Sequence, residues 1–275
     1  MSGAQQPGLE IDDAVASPAR LHAAIARRHA VRTYLERPLD LDHVRMIREA
    51  CRASASAASG ARVVFVAARA ERVFTGLVGS YGRIRGAQAF LAMIGDTAQP
   101  HVEETVGYAG EYVILAATAA GVGSCWVSGT FSPDVVASLV DLSPGEKVFA
   151  VSPLGYPAEP SGTERIMKAL ARSATRKPVE RLLTPESLSL ASCPQWVKQA
   201  LEAARLAPSA LNRQPWRFTV SAEGIRVSVE REGGQRRLDC GIAMLHLELG
   251  ARAAGVQTKW RWLEGPLAVA YLACQ

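Results

Sequence analysis

Two short stretches hold most of the side chains able to meet a ligand. The first, "ARRHAVRTY" (26–34), gathers Arg27, Arg28, His29 and Arg32. A guanidinium grips phosphate or carboxylate through paired donors, so this run suits an anion; a solvated helix face is the other reading. The second, "ARLAPSALNRQPWRF" (204–218), ends a helical pattern with Pro208, Ser209 and Asn212. These turn formers have side chains that cap backbone groups or meet a ligand. No convincing acid, base or nucleophile accompanies them. Cys125, beside Trp126 after an apolar helix, reads as core, Asp239 as a cap for the last long helix, and Glu111 as a packing or capping residue. Such a chain fits chemistry carried by a bound cofactor.

Composition narrows the partners. The chain has 275 residues, 48% hydrophobic and 21% charged, enough for one large or two small domains with a real core. No apolar run approaches the ~20 residues of a membrane helix, and "MSGAQQPGLEIDD" lacks the plan of a signal peptide. The five cysteines are scattered with no CxxC pair, and the five histidines show no metal spacing. That argues against a disulfide framework or zinc site and gives the expectation of a reducing cytoplasm. The net charge of +5 mildly favours anionic partners. Its arginines are scattered without an aromatic-interleaved basic helix, so a phosphate-bearing small molecule fits better than nucleic acid.

These stretches need elements to position them. A helix is expected over 18–34, capped by Ser17 with Pro18 in its first turn, and a second from Asp40 or Asp42. Strands are expected at 61–69, 89–96 and 148–159, with a long Ala-rich helix over 103–121. The polar and basic run from Pro157 to Ser187 is the best linker. Beyond it come a helix (Gln195–Leu206), a hairpin around Glu223-Gly224, a helix over 239–254 and a closing strand, "LAVAYLACQ".

The two halves lie over one another. "REACRASASAASGARVVFV" (48–66) superposes on "LEAARLAPSALNRQPWRFTV" (201–220), matching Glu49, Ala50, Arg52, Ser56, Ala57 and Phe65 to Glu202, Ala203, Arg205, Ser209, Ala210 and Phe218. "GYAGEYVILAATAAGVGSCW" (107–126) superposes on "GIAMLHLELGARAAGVQTKW" (241–260). Ala-rich helices can coincide by chance, but two segments in the same order favour a degenerate tandem repeat.

The run "APSxxNxQPWxF" resembles a motif of the FMN-dependent nitroreductase family. "ARRHAVRTY" is similar to that family's N-terminal arginine motif, "AATAAGVGSCWVSGTF" (116–131) to its helix and flavin-facing loop, and "SPLGYPAE…TRKPVERLL" (152–183) to its late strand and basic tail. The resemblance covers most of the chain from about residue 20. It implies an α+β nitroreductase-like fold with mainly antiparallel sheets flanked by helices. In that family the site is shared between two subunits. Here the first half reads "SASAASGARVVF" where the Pro-Ser turn belongs, and the second half reads "PESLSLASCPQW" in place of the arginine motif. The expectation is therefore a fused pseudo-dimer with one complete and one vestigial site. Its parts would be a lead-in at 1–17, a repeat at 18–183 with a basic tail, and a shorter repeat at 184–275.

The resemblance also implies site roles. Arg28, His29, Ala30 and Arg32 would contact the FMN phosphate, ribityl chain and pyrimidine edge, Ala30 through its backbone. Arg28 would favour the reduced, anionic flavin. Val127, Ser128 and Gly129 would pass near N5, Arg176 and Lys177 would add phosphate contacts, and Pro208, Ser209, Ala210 and Asn212 would close the opposite side. "GRIRGAQ" (82–88) would line the pocket. The implied activity passes hydride from NAD(P)H to a small-molecule electron acceptor such as a nitroaromatic or quinone. A specialised flavin enzyme (oxidase, dehalogenase or flavin-consuming) and a non-catalytic flavin or nucleotide binder are the alternatives. No membrane, nucleic acid or metal is expected, and a monomer would carry both halves of the usual dimer.

Overall fold

The computed structural model describes residues 16–68, 70–74, 84–158 and 175–274. Nearly all of the expected lead-in, the start of "GRIRGAQ" and the basic run 165–174 lie outside the described residues. Helix α1 (Pro18–Arg27) starts as the sequence dictates, with Ser17 Oγ accepting from the Arg20 N–H and Pro18 in the first turn. It buries Leu21, Ala24 and Ile25. It ends at Arg27 rather than running to residue 34. The Val31 N–H donates to the Ser124 carbonyl at 2.8 Å and the Tyr34 N–H to that of Arg85 at 2.9 Å, so residues 30–34 are extended. Tertiary pairing there overrides the helical pattern, in a segment rich in β-branched and aromatic residues.

In the first unit, α2 (Leu41–Ala57), β1 (Ala61–Val66), β2 (Ala89–Asp96), α3 (Val102–Ala119), β3 (Gly123–Ser124), α4 (Pro133–Ala137) and β4 (Glu146–Gly155) follow. The second contains α5 (Gln195–Arg205), β5 (Trp216–Val220), β6 (Gly224–Val229), α6 (Arg236–Ala253), β7 (Thr258–Trp262) and β8 (Ala268–Cys274). The sheets are antiparallel with the same topology, β1-β2-β4-β3 and β5-β6-β8-β7. Each has a register irregularity on its second strand, at Met93/Ile94 and at Val227/Ser228. Strand β7 lies outside the expected strands. Its signal is short: Trp260 is buried between exposed Lys259 and Arg261. The basic tail reaches into the second unit. Phe218 N–H donates to the Leu182 carbonyl at 2.8 Å and Leu188 N–H to that of Val220 at 3.0 Å, so the boundary expected at 183/184 falls within a segment running along β5.

Helices α3 and α6 form the centre and pack against each other. Both are buried nearly all round, from Glu104 to Ala117 and from Leu238 to Ala251. They meet backbone to backbone at two glycines that the sequence alignment superposes. A Cβ on Gly107 would stand 2.1 Å from the Leu238 carbonyl oxygen, and one on Gly241 would stand 1.9 Å from that of Glu104. The contact is thus reciprocal, as a two-fold relation between the units requires. Among the described residues, no helix is long and apolar enough to cross a membrane.

The crossing leaves no room for a methyl group against backbone. Gly241→Ala should lower unfolding stability by about 3 kcal/mol or prevent folding, read as the urea midpoint. An unchanged midpoint would show that the helices can separate at little cost.

Candidate functional site

A cavity of about 690 Å³ lies between the units. One wall is Arg28, His29, Ala30 and Arg32 at the exit of α1, joined by residues 125–130. The other comprises Leu206 and residues 208–212 after α5, with Leu238, Asp239 and Ile242 from the start of α6. Arg176 joins from the tail. Thus Arg28, His29, Ala30, Arg32, Pro208, Ser209, Ala210 and Asn212, together with Val127, Ser128, Gly129 and Arg176, border one space, whereas Arg27 and the described part of "GRIRGAQ" (84–88) do not line it.

Lys177 does not line it. Its ammonium donates to the carbonyls of Arg213 (2.9 Å) and Gln214 (3.2 Å), and its N–H to Gln214 Oε1 at 2.7 Å. Lys177 therefore fastens the tail to the turn. The physical reason is local: carbonyls in an irregular turn lack ladder partners, and an ammonium satisfies two of them.

That turn is strained. Leu211, Asn212 and Gln214 have φ of 53°, 54° and 51°, unusual for residues with a Cβ. Hydrogen bonds hold it from several sides. Ser209 Oγ accepts from the Gln214 N–H at 2.9 Å, and Asn212 Oδ1 accepts from Arg176 Nη1 at 2.9 Å. The Asn212 amide donates to the Thr175 carbonyl at 2.7 Å. On the far wall, Val127 and Val151 exchange two backbone bonds of 2.9 Å, and Cys125 N–H donates to Ser152 Oγ. Residues 125–130 are thereby tied to β4.

Among the described residues, Arg28 and Arg176 bring two guanidinium groups near one another at the cavity. Burial, then the charges of Arg28 and Arg205, push the Arg176 guanidinium down to about 10. Arg205 has its own partner in Glu202, at 2.7 Å. The Arg28 side chain is only 7% exposed, its Nε makes no hydrogen bond, and the nearest carboxylate oxygen, Glu111 Oε1, is 3.9 Å away. An anion entering here would satisfy the Arg28 Nε–H and relieve like-charge repulsion.

Three contributions were not legible. Asp239 is a wall residue as well as a first-turn residue of α6: both carboxylate oxygens accept from the Ala210 N–H, at 3.0 and 3.2 Å. Burial raises it to about 7, against the Ala210 hydrogen bond and the charges of Arg213 and Arg236. Cys125 and Trp126 also border the cavity. The Cys125 thiol is buried and pushed up, which keeps it protonated and unreactive. Asp239 reaches the wall from the start of α6, and Cys125 and Trp126 reach it from the segment tied to β4.

The corresponding place in the other half carries an aromatic ring. Extending the second alignment by two residues pairs Ser128 with Trp262. The Trp262 ring stacks on His101 with centroids 4.4 Å apart and planes at 3°. Arg237 beside it donates to Glu104 at 2.7 Å and also binds Glu232. Aromatic rings and paired charges occupy that position.

A folded-state carboxyl raised above its unfolded value destabilises once it ionises. Asp239 should therefore make stability fall as pH rises from about 4 to about 7. The thermal midpoint of Asp239→Asn should rise relative to the parent above pH 7 and converge with it near pH 4. A constant difference across that range would contradict this.

The family model described as "Putative TM nitroreductase" matches residues 20–251. A structure from Thermotoga maritima, described as a "putative nitroreductase", is 22% identical, covers 92% of each chain and has a TM-score of 0.56, a likeness of fold. A nitroreductase with bound FMN from Bacteroides fragilis is 21% identical over 63% of this chain and 97% of its own, with a TM-score of 0.42. No curated protein matches. With the family model spanning most of the sequence and the two-sheet fold in agreement, the chain belongs to the nitroreductase family.

Proposed function

We propose that the chain is an FMN-dependent oxidoreductase that moves hydride from NAD(P)H to an electron-poor organic acceptor such as a nitroaromatic or quinone. The observation that carries this reading is the cavity whose walls come from both units and whose cationic end gathers Arg28, Arg32 and Arg176. Its volume is that of a cofactor or small-ligand site. Bound FMN would supply the two-electron chemistry, which agrees with walls that hold no activated nucleophile.

The residues present fit that group. Arg28 Nε is a buried donor without a hydrogen bond, and the depressed Arg176 guanidinium marks a place where negative charge is favoured. These two would hold the phosphate. Ala30 and residues 127–129 would offer backbone groups to the ring edge, as backbone donors do where charge develops. Pro208, Ser209, Ala210 and Asn212 would exclude water from the opposite side. With Trp262 and His101 occupying the pseudo-equivalent position, the expected stoichiometry is one flavin per chain.

The freshly purified protein should be yellow, with about one FMN per chain. A colourless protein whose thermal midpoint ignores added FMN would overturn the reading, and two equivalent flavins per chain would overturn the single-site part. Arg176→Gln should weaken FMN by roughly tenfold while leaving riboflavin, which lacks the phosphate, little changed; equal loss for both ligands would remove the phosphate role. Rapid mixing with NADPH or NADH should reduce the bound flavin stoichiometrically. FMN binding without reduction would favour a non-catalytic binder.

A further inference from the structure

Gln214 closes the strained turn and is only 3% exposed, yet it does not border the cavity. Its side-chain amide bridges two segments that do. Oε1 accepts from the Lys177 N–H of the tail at 2.7 Å. Nε2 donates to the backbone carbonyl of Asn212 at 3.1 Å and to Asn212 Oδ1 at 3.2 Å. That same Oδ1 accepts from Arg176 Nη1 at 2.9 Å, and the Asn212 amide nitrogen donates to the Thr175 carbonyl at 2.7 Å.

These bonds allow one orientation of each amide. A backbone N–H only donates and a carbonyl only accepts, so Gln214 must turn its oxygen to Lys177 and its nitrogen to Asn212. Thr175 and Arg176 fix Asn212 in the same way, with nitrogen toward a carbonyl and oxygen toward a guanidinium. The result is a closed ring: Arg176 to Asn212, Asn212 to Gln214, Gln214 to Lys177, and Lys177 through the chain back to Arg176. Asn212 Oδ1 stands at the junction and receives Gln214 and Arg176 together. A side chain at 214 that could not both donate and accept would break the ring at two points. The Lys177 ammonium is no substitute. It binds the carbonyls of Arg213 and Gln214, which ties the tail to the turn but orients neither amide.

We propose that Gln214 is a positioning residue that locks tail and turn into one ring and so holds the Arg176 guanidinium ready for an anionic ligand. The proposal rests on the flavin reading for its probe, the phosphate of FMN. Arg176 needs such a restraint, because burial and the like charges of Arg28 and Arg205 both favour its withdrawal to water. With the ring intact, the guanidinium is in place before the ligand arrives, which spares the complex the cost of ordering a long side chain. With the ring broken, Arg176 swings outward and the phosphate loses its partner. Linkage makes the coupling reciprocal, so a phosphate on Arg176 tightens the ring.

Affinities of the flavin-stripped chain for FMN and riboflavin would be measured by flavin fluorescence. The quantity read is the ratio of the two affinities, in which any loosening of the wall felt by both ligands cancels. Gln214→Met keeps the length of the side chain and removes the amide. It should lower the FMN-to-riboflavin ratio about fivefold. In Arg176→Gln protein the same substitution should leave the ratio within about twofold, because the group through which Gln214 acts is gone. A merely structural Gln214 would leave the ratio unchanged or lower it equally in both backgrounds, and either result overturns the proposal. Hydrogen exchange of the unsubstituted chain gives a second measurement. Saturating FMN should slow exchange of the Lys177 N–H about threefold more than saturating riboflavin. If Gln214→Met fails to fold, this comparison decides alone, since equal slowing by the two flavins is equally fatal. Failure of FMN to bind would sink the proposed function and this inference together, whereas FMN binding with an unaltered ratio removes only the inference.

Discussion

The approach of α3 and α6 at Gly107 and Gly241 fixes how the two units meet around the cavity. Side chains at either place would push the helices apart by the width of a methyl group or more, since what each glycine meets is backbone. The start of α6 contributes Leu238, Asp239 and Ile242 to the cavity, while α3 places Glu111 beneath Arg28. Shifting one helix against the other would separate these groups. The reciprocal contact also explains why two helices with little amphipathic pattern survive in water, since each is enclosed by the other and by its own unit.

Within that frame the chain accumulates local costs at one place. Buried arginines repel one another, and three residues of the 211–214 turn adopt left-handed backbone. Neither feature would persist without support. Asp239, Ser209, Lys177 and the Arg176–Asn212 bond supply it: Ser209 closes the turn on itself, and the others join it to α6 or to the tail. Strain and unbalanced charge held this firmly are the physical marks of a surface prepared for a ligand.

Much of this was legible in residue types. The repeat followed from two superposed segments, and the superposed glycines became the helix crossing. Arginine runs and the Pro-Ser-Asn turn announced themselves because their chemistry is unusual for core or solvent faces. Other features depended on contacts distant in sequence. Arg28 to Tyr34 has a helical pattern and is extended because Ser124 and Arg85 claim its backbone. Strand β7 follows a Gly-ended helix and spans only five residues, too short for periodicity to speak. Lys177 and Arg176 are adjacent and equally basic, yet one meets the turn's carbonyls and the other the cavity. Asp239 is an ordinary helix residue by position, and only burial makes its proton consequential.

The Trp262–His101 stack has a further bearing on how such a chain can change. In a symmetric pair of identical subunits, any substitution appears at both sites, so a wall cannot be altered without altering its copy. Here the two halves differ in sequence, and one position is closed by rings and paired charges. The turn after α5 and the arginine segment after α1 are therefore free to drift separately. A change that reshapes the mouth of the cavity from one side has no mirror image to satisfy, which gives this architecture a wider choice of cavity shapes than symmetry would permit.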